Sequence, residues 1–193
     1  MNKWTQAIDL RIRQFQHLKD SHHRVFEAVA LMESALRSGN KILVFGNGGS
    51  AAQSSHFAAE LLNKFYFDRP GLPALALTTD NAAITSIAND TDFKYVFSRQ
   101  VETLGKAGDI AFGLTTSGKS ANVIEALLKA SRLNLKTIAL CGNITRPLEN
   151  PDLKLDVIIP VPSTDTPLIQ EMHQFILHSL AEMLERKFFA GDQ

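Results

Sequence analysis

The chain has a single cysteine and no block of like charge, and both absences narrow its class. Because Cys141 is alone among 193 residues, an internal disulfide is excluded and a reducing compartment is expected. The 20 basic and 20 acidic residues give a formal net charge of zero, and no run of like charges forms a tail. The composition therefore gives no support for nucleic-acid binding.

Long apolar runs are absent as well. No stretch approaches the roughly 18 to 20 apolar residues that a membrane-spanning helix needs. The first residues, MNKWTQAIDLRIRQF, mix charged and apolar side chains and lack the apolar region of a signal peptide. We therefore expect a cytoplasmic protein without a membrane partner, folded as one domain over residues 1–193.

Apolar periodicity predicts that helices and strands alternate along the chain. Residues 4 to about 37 are predicted to be helical, with a break near Lys19. Ser21 is predicted to cap the second of these helices, and Gly39 to end it. Strands are predicted over 41–45, 73–77, 109–114, 136–141 and 156–160. Further helices are predicted over 50–64, 81–88, 93–104, 120–133 and 166–189. This order predicts an α/β fold with a parallel sheet covered on both faces, and residues 142–155 as a surface loop.

Two loops rich in glycine and hydroxyl residues each follow a predicted buried strand. The first is Gly46-Asn47-Gly48-Gly49-Ser50, and the second is Thr115-Thr116-Ser117-Gly118-Lys119-Ser120. Ligands of an open parallel sheet bind beyond the carboxyl ends of its strands. Glycines there let the backbone approach a ligand, and hydroxyls with free N–H groups bind an anion. Since four hydroxyls exceed what one helix cap needs, the pair of loops predicts a phosphorylated small molecule as ligand.

The second loop also matches the phosphate-binding pattern of nucleoside triphosphatases, G-x-x-x-x-G-K-[ST], over residues 113–120. Such an enzyme needs an aspartate at the end of an apolar strand to hold magnesium. The predicted strand 136–141 ends in Cys141 and the strand 156–160 ends in Pro160, so neither supplies that aspartate. The match is therefore interpreted as a coincidence.

A polar cluster is predicted from two helices. His56 and Glu60 lie four residues apart on one helix face, with Cβ atoms about 5–6 Å apart, where they can share a metal ion or act as an acid–base pair. A solvated helix face is the simpler alternative, but apolar neighbours make us expect a mostly buried helix. The last helix offers Gln170 and His178, eight residues or about 12 Å apart. If both serve one site, a long glutamine reach or a neighbouring subunit is needed.

At this point the motifs resemble a known family. The segments GNGGS, His56-x3-Glu60, DRPGLPALAL, SIANDTDF, TTSGKS and IQEMH occur in the order found in sugar isomerase (SIS) domains, and they are most similar to bacterial phosphoheptose isomerases. The resemblance covers residues 20 to 187. It implies a flavodoxin-like, three-layer fold with a five-stranded parallel sheet. It also implies a homotetramer, with the N-terminal helical segment 1–40 used in oligomerisation and 41–193 as the α/β core with the C-terminal helix.

The resemblance also implies a reaction and its residues. The reaction is the aldose–ketose isomerisation of sedoheptulose 7-phosphate to D-glycero-D-manno-heptose 7-phosphate, the first step toward the heptose of lipopolysaccharide. Glu60 and His178 match the catalytic acid–base pair. The implied substrate-binding residues are Asn47, Gly48, Ser50, Asp80, Thr115, Thr116, Ser117, Ser120 and Gln170. The implied ligands of one Zn²⁺ per subunit are His56, Glu60, Gln170 and His178.

Several positions depart from the family pattern or have no assigned role. Lys119 replaces the usual asparagine, and its charge either strengthens phosphate binding or faces solvent. Pro167 and Leu168 replace the usual polar residues, which leaves the contacts to the sugar tail open. His173 either packs in the core or supports the site.

One rival function comes from the same fold. Some SIS proteins are adaptors that bind the bacterial replication initiator, and RPGLPALALTTDN and SIANDTD resemble that group too. That group lacks the glutamate and the last-helix histidine, whereas this chain keeps Glu60 and His178. The isomerase is therefore the favoured functional hypothesis.

Overall fold

The computed structural model describes residues 2–143, 148, 150 and 152–190. The helices in this part of the chain are α1 (Lys3–His17), α2 (His22–Arg37), α3 (Gly49–Leu62), α4 (Asn81–Asp90), α5 (Ser98–Leu104), α6 (Ala121–Arg132) and α7 (Thr166–Phe189). The strands are β1 (Ile42–Gly46), β2 (Ala74–Ala76), β3 (Ile110–Thr115), β4 (Lys136–Cys141) and β5 (Val157–Pro160). Short 3-10 turns cover Leu18–Ser21 and Phe93–Tyr95.

The five strands form one parallel sheet in the order β2-β1-β3-β4-β5. Strand β1 lies inside the sheet, with β2 on one side and β3 on the other, so the winding direction changes between β1 and β3. This is the strand order of flavodoxin-like folds, in which ligands bind at that change of direction. The predicted α/β architecture and parallel sheet are confirmed.

Alternation along the strands divides the core into two layers, as the two-residue period of a strand requires. Ile42 and Val44 of β1 face a cluster built with α2, α3 and α7. Leu43 and Phe45 face the other cluster, which includes α5 and α6, with residues of α4 packed at its edge. Both faces of the sheet are therefore covered, which accounts for strands that are apolar at nearly every position.

The N-terminal helices differ in burial. Helix α1 has no buried residue, whereas α2 buries one apolar stripe against the sheet layer. Gly39 ends α2 as predicted, with φ of 79°. Its N–H donates to the carbonyl of Leu36 and the next N–H, of Asn40, donates to that of Ala35, which is a Schellman motif.

The predicted capping role of Ser21 is wrong. The 3-10 turn before α2 leads directly into the helix, and Ser21 has φ of −87° and ψ of 0° instead of the extended backbone that a capping residue needs. Its hydroxyl donates instead to the carbonyl oxygen of Pro160 at 3.0 Å. The side chain thereby ties the start of α2 to the end of β5.

The predicted helix over 93–104 is broken. Asp92 accepts a hydrogen bond from the N–H of Lys94 and starts a 3-10 turn, and α5 begins only at Ser98. Between them Val96 and Phe97 are buried, with the Phe97 ring 5.5 Å from that of Phe45. Core packing thus overrides the helical period there.

Residues 144–147, 149 and 151 of the predicted surface loop 142–155 lie outside the described residues. Among the helices that the structure describes, none combines the length and the apolar character needed to cross a membrane.

Candidate active site

The two glycine-rich loops lie side by side at the carboxyl-terminal edge of the sheet. Gly46, the last residue of β1, pairs with Leu114 near the end of β3. The Asn47 side chain exchanges two hydrogen bonds of 2.8 Å with the side chain of Asn122 at the start of α6. The first loop is thus joined to the helix that follows the second loop, and together they form one crevice where the strand order changes direction.

Hydroxyl groups of the second loop face one another and the loop backbone. The Thr115 Oγ1 atom lies 3.0 Å from Ser120 Oγ and accepts a hydrogen bond from the N–H of Gly118. Ser117 Oγ accepts from the N–H of Lys119. Ser120 precedes α6, yet its side chain makes no capping hydrogen bond to that helix. The loop hydroxyls are therefore not used as caps of α6.

The remaining predicted substrate residues surround this crevice. Ser50 is buried in the first turn of α3, directly after the exposed Gly48 and Gly49. Thr116 is half-buried in the second loop. Asp80 follows β2 and caps α4 by accepting the N–H of Ala83 at 2.9 Å. That contact gives Asp80 a structural role, and its predicted contact with the sugar stays a prediction.

Three polar side chains converge between α3 and α7. His56 Nε2 lies 3.1 Å from Glu60 Oε1 and 2.9 Å from His178 Nε2. One ligand atom from each residue lies within 4.8 Å of the other two. The tertiary fold thus brings His178 to the predicted pair within a single chain.

These three residues fit a zinc site. A tetrahedral zinc ion about 2.1 Å from each nitrogen or oxygen holds neighbouring ligand atoms roughly 3.4 Å apart. The distances of 2.9 and 3.1 Å between the converging atoms are somewhat shorter than that separation. Two histidines with one carboxylate are also a common catalytic zinc set.

The expectation that this helix is mostly buried is wrong, because only five of its fourteen residues are buried. The His56 side chain is 46% exposed and that of Glu60 24% exposed. The apolar neighbours Phe57, Ala58 and Leu61 bury the opposite face of α3, so the helix is amphipathic. The cluster is open to a ligand from solvent.

The position predicted for Gln170, both beside the first loop and beside His178, is occupied by two glutamines, Gln170 and Gln174. Gln170 lies against the first loop, so closely that a Cβ atom added to Gly49 would stand 2.5 Å from its amide nitrogen. Gln174, one turn further along α7, has its amide 2.8 Å from His178 Nε2. The side-chain amide of Gln53 of α3 bridges these two residues. It donates to the backbone carbonyl oxygen of Gln170 at 2.7 Å and to the side-chain oxygen of Gln174 at 3.4 Å. The sequence argument missed Gln174 and Gln53, although Gln174 stands one helical turn before His178.

His173 packs in the core. It is fully buried, and burial lowers the pKa of its imidazole to about 4, so the ring is neutral at physiological pH. Lys119 is exposed in the second loop. Leu168 is buried at the start of α7, whereas Pro167 is exposed there.

A buried ion pair beside the cluster was also missed. Arg69 Nε lies 2.9 Å from Glu185 Oε1, and the two side chains are 1% and 0% exposed. The signals in the sequence were a glutamate on the apolar stripe of α7, four residues after Ala181, and the arginine of the DRPGLPALAL segment. A charged residue on a buried stripe requires a partner.

Known proteins share this fold and much of this sequence. The family model of the SIS domain matches residues 3–142. The phosphoheptose isomerase of Thermodesulfovibrio yellowstonii is 44% identical over 180 residues, which are 93% of this chain and 88% of that protein. The phosphoheptose isomerase of Shewanella sediminis is 42% identical over 192 residues, which are 100% of this chain and 96% of that protein. The structure of phosphoheptose isomerase GmhA from Neisseria gonorrhoeae superposes with a TM-score of 0.85 at 39% identity, covering 95% of this chain and 97% of that one.

Proposed function

This chain belongs to the SIS domain family and, within it, to the phosphoheptose isomerases, and from that premise we propose that it converts sedoheptulose 7-phosphate to D-glycero-D-manno-heptose 7-phosphate. The product is a precursor of the heptose in lipopolysaccharide. The observation that supports this reaction most directly is the convergence of His56, Glu60 and His178 between α3 and α7, in a chain that also carries two hydroxyl-rich loops. The adaptor function is not favoured, because the similar proteins carry the name of an enzyme.

The reaction needs a base and an acid near adjacent carbons. Isomerisation moves a proton between C1 and C2 through an enediol, while a second proton moves between the two oxygens. Glu60 is the proposed base for the carbon-bound proton, and His178 the proposed acid and base for the oxygens. Because Glu60 and His178 both lie next to His56, one sugar carbonyl can reach both groups.

His56, Glu60 and His178 are the proposed zinc ligands, with Gln170 or Gln174 as the candidate fourth. A bound zinc ion polarises a carbonyl group and stabilises the negative charge of an enediolate. The residues of this chain hold and orient the sugar beside that charge.

Phosphate binding at the two loops positions the reacting carbons. The proposed contacts come from Ser50, Thr115, Thr116, Ser117 and Ser120, with Asn47 and Gly48 shaping the crevice and Asp80 with Gln170 contacting the sugar. Binding energy from the phosphate, which does not react, is used to hold C1 and C2 near the base. Gly49 supports this arrangement because its lack of a side chain lets Gln170 lie against the loop.

A homotetramer is proposed because α1 buries no residue within the chain, although its Phe15 packs edge-on against Phe175. Isolated helices of about 15 residues are marginal in water, yet α1 has 15 residues and buries none of them. Trp4 is 74% exposed and Ile12 52% exposed on this helix, and Phe26 of α2 and Phe175 of α7 are 57% and 52% exposed around a groove of about 320 Å³. Burial of these side chains between subunits accounts for all of them. The protein is proposed to act in the cytoplasm.

An isomerase assay tests the proposed function. Purified protein is given sedoheptulose 7-phosphate with and without added Zn²⁺, beside Glu60→Gln, His178→Gln and the matched control Glu182→Gln, an exposed glutamate one turn from His178. Turnover by the wild type and the control, and its loss in the other two, is the expected result. A zinc-loaded wild type that leaves the sugar unchanged but retains the replication initiator in a pull-down would overturn the isomerase in favour of the adaptor.

Mixing the two inactive variants tests whether one site draws on two subunits. Because His56, Glu60 and His178 meet within one chain, tetramers reassembled from Glu60→Gln and His178→Gln subunits are expected to stay inactive. Recovery of activity in the mixture would show that Glu60 and His178 of one site come from different subunits.

A further inference from the structure

Glu185 is a fully buried carboxylate on α7 whose hydrogen-bonding capacity is filled by one short segment. It accepts the backbone N–H groups of Phe65, Tyr66 and Phe67 at 2.8, 2.6 and 3.3 Å. It also accepts from Arg69 Nε at 2.9 Å. These donors hold the carboxylate ionised, since hydrogen bonds to the charged form oppose the cost of burial. The segment that follows α3 is therefore attached to α7 at one point.

The same arginine closes the end of α3. Its guanidinium donates to the carbonyl oxygens of Glu60 and Leu61 at 2.8 and 2.7 Å. Both carbonyls belong to the last turn of α3, where the helix itself provides no donors and its dipole favours a positive charge. Arg69 thus caps α3 through the backbone of Glu60 itself.

The pair is therefore linked to both halves of the proposed acid–base site, directly to Glu60 and through Phe65 to His178. On one side it holds the backbone of Glu60. On the other side Glu185 lies seven residues after His178, about 10 Å along the same helix. Phe65, whose N–H donates to Glu185, also places its ring 5.7 Å from the His178 ring. Backbone, ion pair and ring form one connected link from α3 to α7.

We propose that Arg69 and Glu185 are positioning residues of the isomerase, which set the separation between Glu60 and His178 across the two helices. The inference rests on the proposed function and assigns a role to the arginine of the DRPGLPALAL segment. A planar guanidinium is required, because it bonds the carboxylate and two carbonyls at once, which an ammonium group cannot reproduce.

The expected effect is on turnover more than on substrate binding. Glu185→Gln and Arg69→Lys are expected to lower kcat about 10- to 100-fold, since a displacement of about 1 Å in a catalytic group costs on that order. The KM for sedoheptulose 7-phosphate is expected to stay within about twofold, because the phosphate loops do not contact this pair. Zinc affinity, measured without substrate by competition with a chelator, is expected to fall about tenfold or more, as for other residues that orient metal ligands.

The matched control is Asp109→Asn. Asp109 is also buried, at 1% exposure, and also accepts backbone N–H groups and a cationic side chain, but its partners, Lys41 and Lys106, do not belong to α3 or α7. Its loss is expected to lower the melting temperature while leaving kcat and zinc affinity unchanged. All variants are assayed well below their melting temperatures, and Arg69→Lys, which keeps the charge, serves if Glu185→Gln does not fold.

The outcomes separate the two claims. Wild-type protein without isomerase activity would overturn the proposed function and this inference with it. An active wild type, with variants that match Asp109→Asn in kcat and in zinc affinity, would overturn this inference alone and leave the pair as a purely structural one. A fall in kcat and zinc affinity confined to Arg69 and Glu185 supports it.

Discussion

Two groups of charged and polar side chains differ in how their polar atoms are satisfied. At the amino-terminal end of the sheet Asp109 accepts the N–H groups of Lys41 and Lys106 at 2.9 and 2.8 Å and pairs with the Lys41 ammonium group. Asp156 likewise accepts the N–H of Thr137 at 2.9 Å. Between α3 and α7, His56, Glu60 and His178 point their ligand atoms at one another and stay partly exposed. The first group is enclosed by partners within the chain, and the second is open to a ligand.

This difference separates stability from function within one small domain. A carboxylate with complete partners stabilises the fold and is chemically quiet. A cluster of histidines with a carboxylate that stays open to solvent can instead bind a cation or a substrate. Substitutions in the two groups are therefore expected to produce different kinds of damage.

The largest expected effect is in the cluster between α3 and α7. Glu60→Gln and His178→Gln are each expected to lower kcat by about 10³-fold, within the range for loss of a general acid or base. The melting temperature is expected to change little, because both side chains are partly exposed. Steady-state kinetics and thermal unfolding of the same samples check this. Equal losses of activity and stability would contradict the division between the two groups.

The next effect is at the amino-terminal end of the sheet and has the opposite character. Asp109→Asn is expected to lower the free energy of unfolding by about 3 kcal/mol, since a buried charged hydrogen-bonding group loses its partners. Activity at 25 °C is expected to stay within about twofold of the wild type. Urea unfolding with an unchanged m-value checks the stability change, and a large fall in kcat would count against the comparison.

A smaller effect is expected in the second loop, where binding and not catalysis is affected. Ser120→Ala is expected to raise KM about tenfold, because a hydrogen bond to a charged phosphate contributes about 1.5 kcal/mol or somewhat more. Ser120→Thr keeps the hydroxyl and serves as the control. A change in kcat with constant KM would contradict the role of this hydroxyl in phosphate binding.

The smallest effect concerns Glu185 and pH. Burial raises the pKa of this carboxyl, but hydrogen bonds from Phe65, Tyr66 and Arg69 lower it by a larger amount. The pKa of Glu185 therefore lies below its ordinary value of 4.5. A pKa that is lower in the folded than in the unfolded protein stabilises the fold above about pH 4.5, and this contribution is lost as the pH falls toward the folded-state pKa.

The measurement is the difference in unfolding free energy between the wild type and Glu185→Gln. Because glutamine does not titrate there, the difference is expected to be constant near neutral pH and to narrow below about pH 4.5. Urea unfolding at pH 7 and at pH 4 checks this. A difference that is the same at both pH values would show that the charge of Glu185 does not stabilise the fold.

Much of the fold was predictable because its signals are local. Apolar runs of four to six residues between helical segments predicted all five strands within one residue at each end. The helix at 93–104 failed because the burial of Val96 and Phe97 depends on Phe45, which is about 50 positions earlier. The capping role of Ser21 failed because its hydroxyl finds a partner on β5, 139 positions away.

The candidate site was predictable by residue type and less so by contact. The pair His56 and Glu60 is visible from a spacing of four on one helix. That Gln174 and not Gln170 contacts His178 depends on how α7 lies along α3. The glutamate on the apolar stripe of α7 signalled a buried partner, but only the packed structure identifies Arg69 as that partner.

By itself the sequence determined which segments are helices and strands, where the glycine-rich loops occur and which side chains can donate, accept or bind a metal. These properties follow from the period of apolar residues and from the chemistry of single side chains. The tertiary structure alone decided that α3 and α7 cross at His56 and His178 and that one ion pair joins them. Such contacts span more than 100 residues, and their geometry depends on the packing of the whole core.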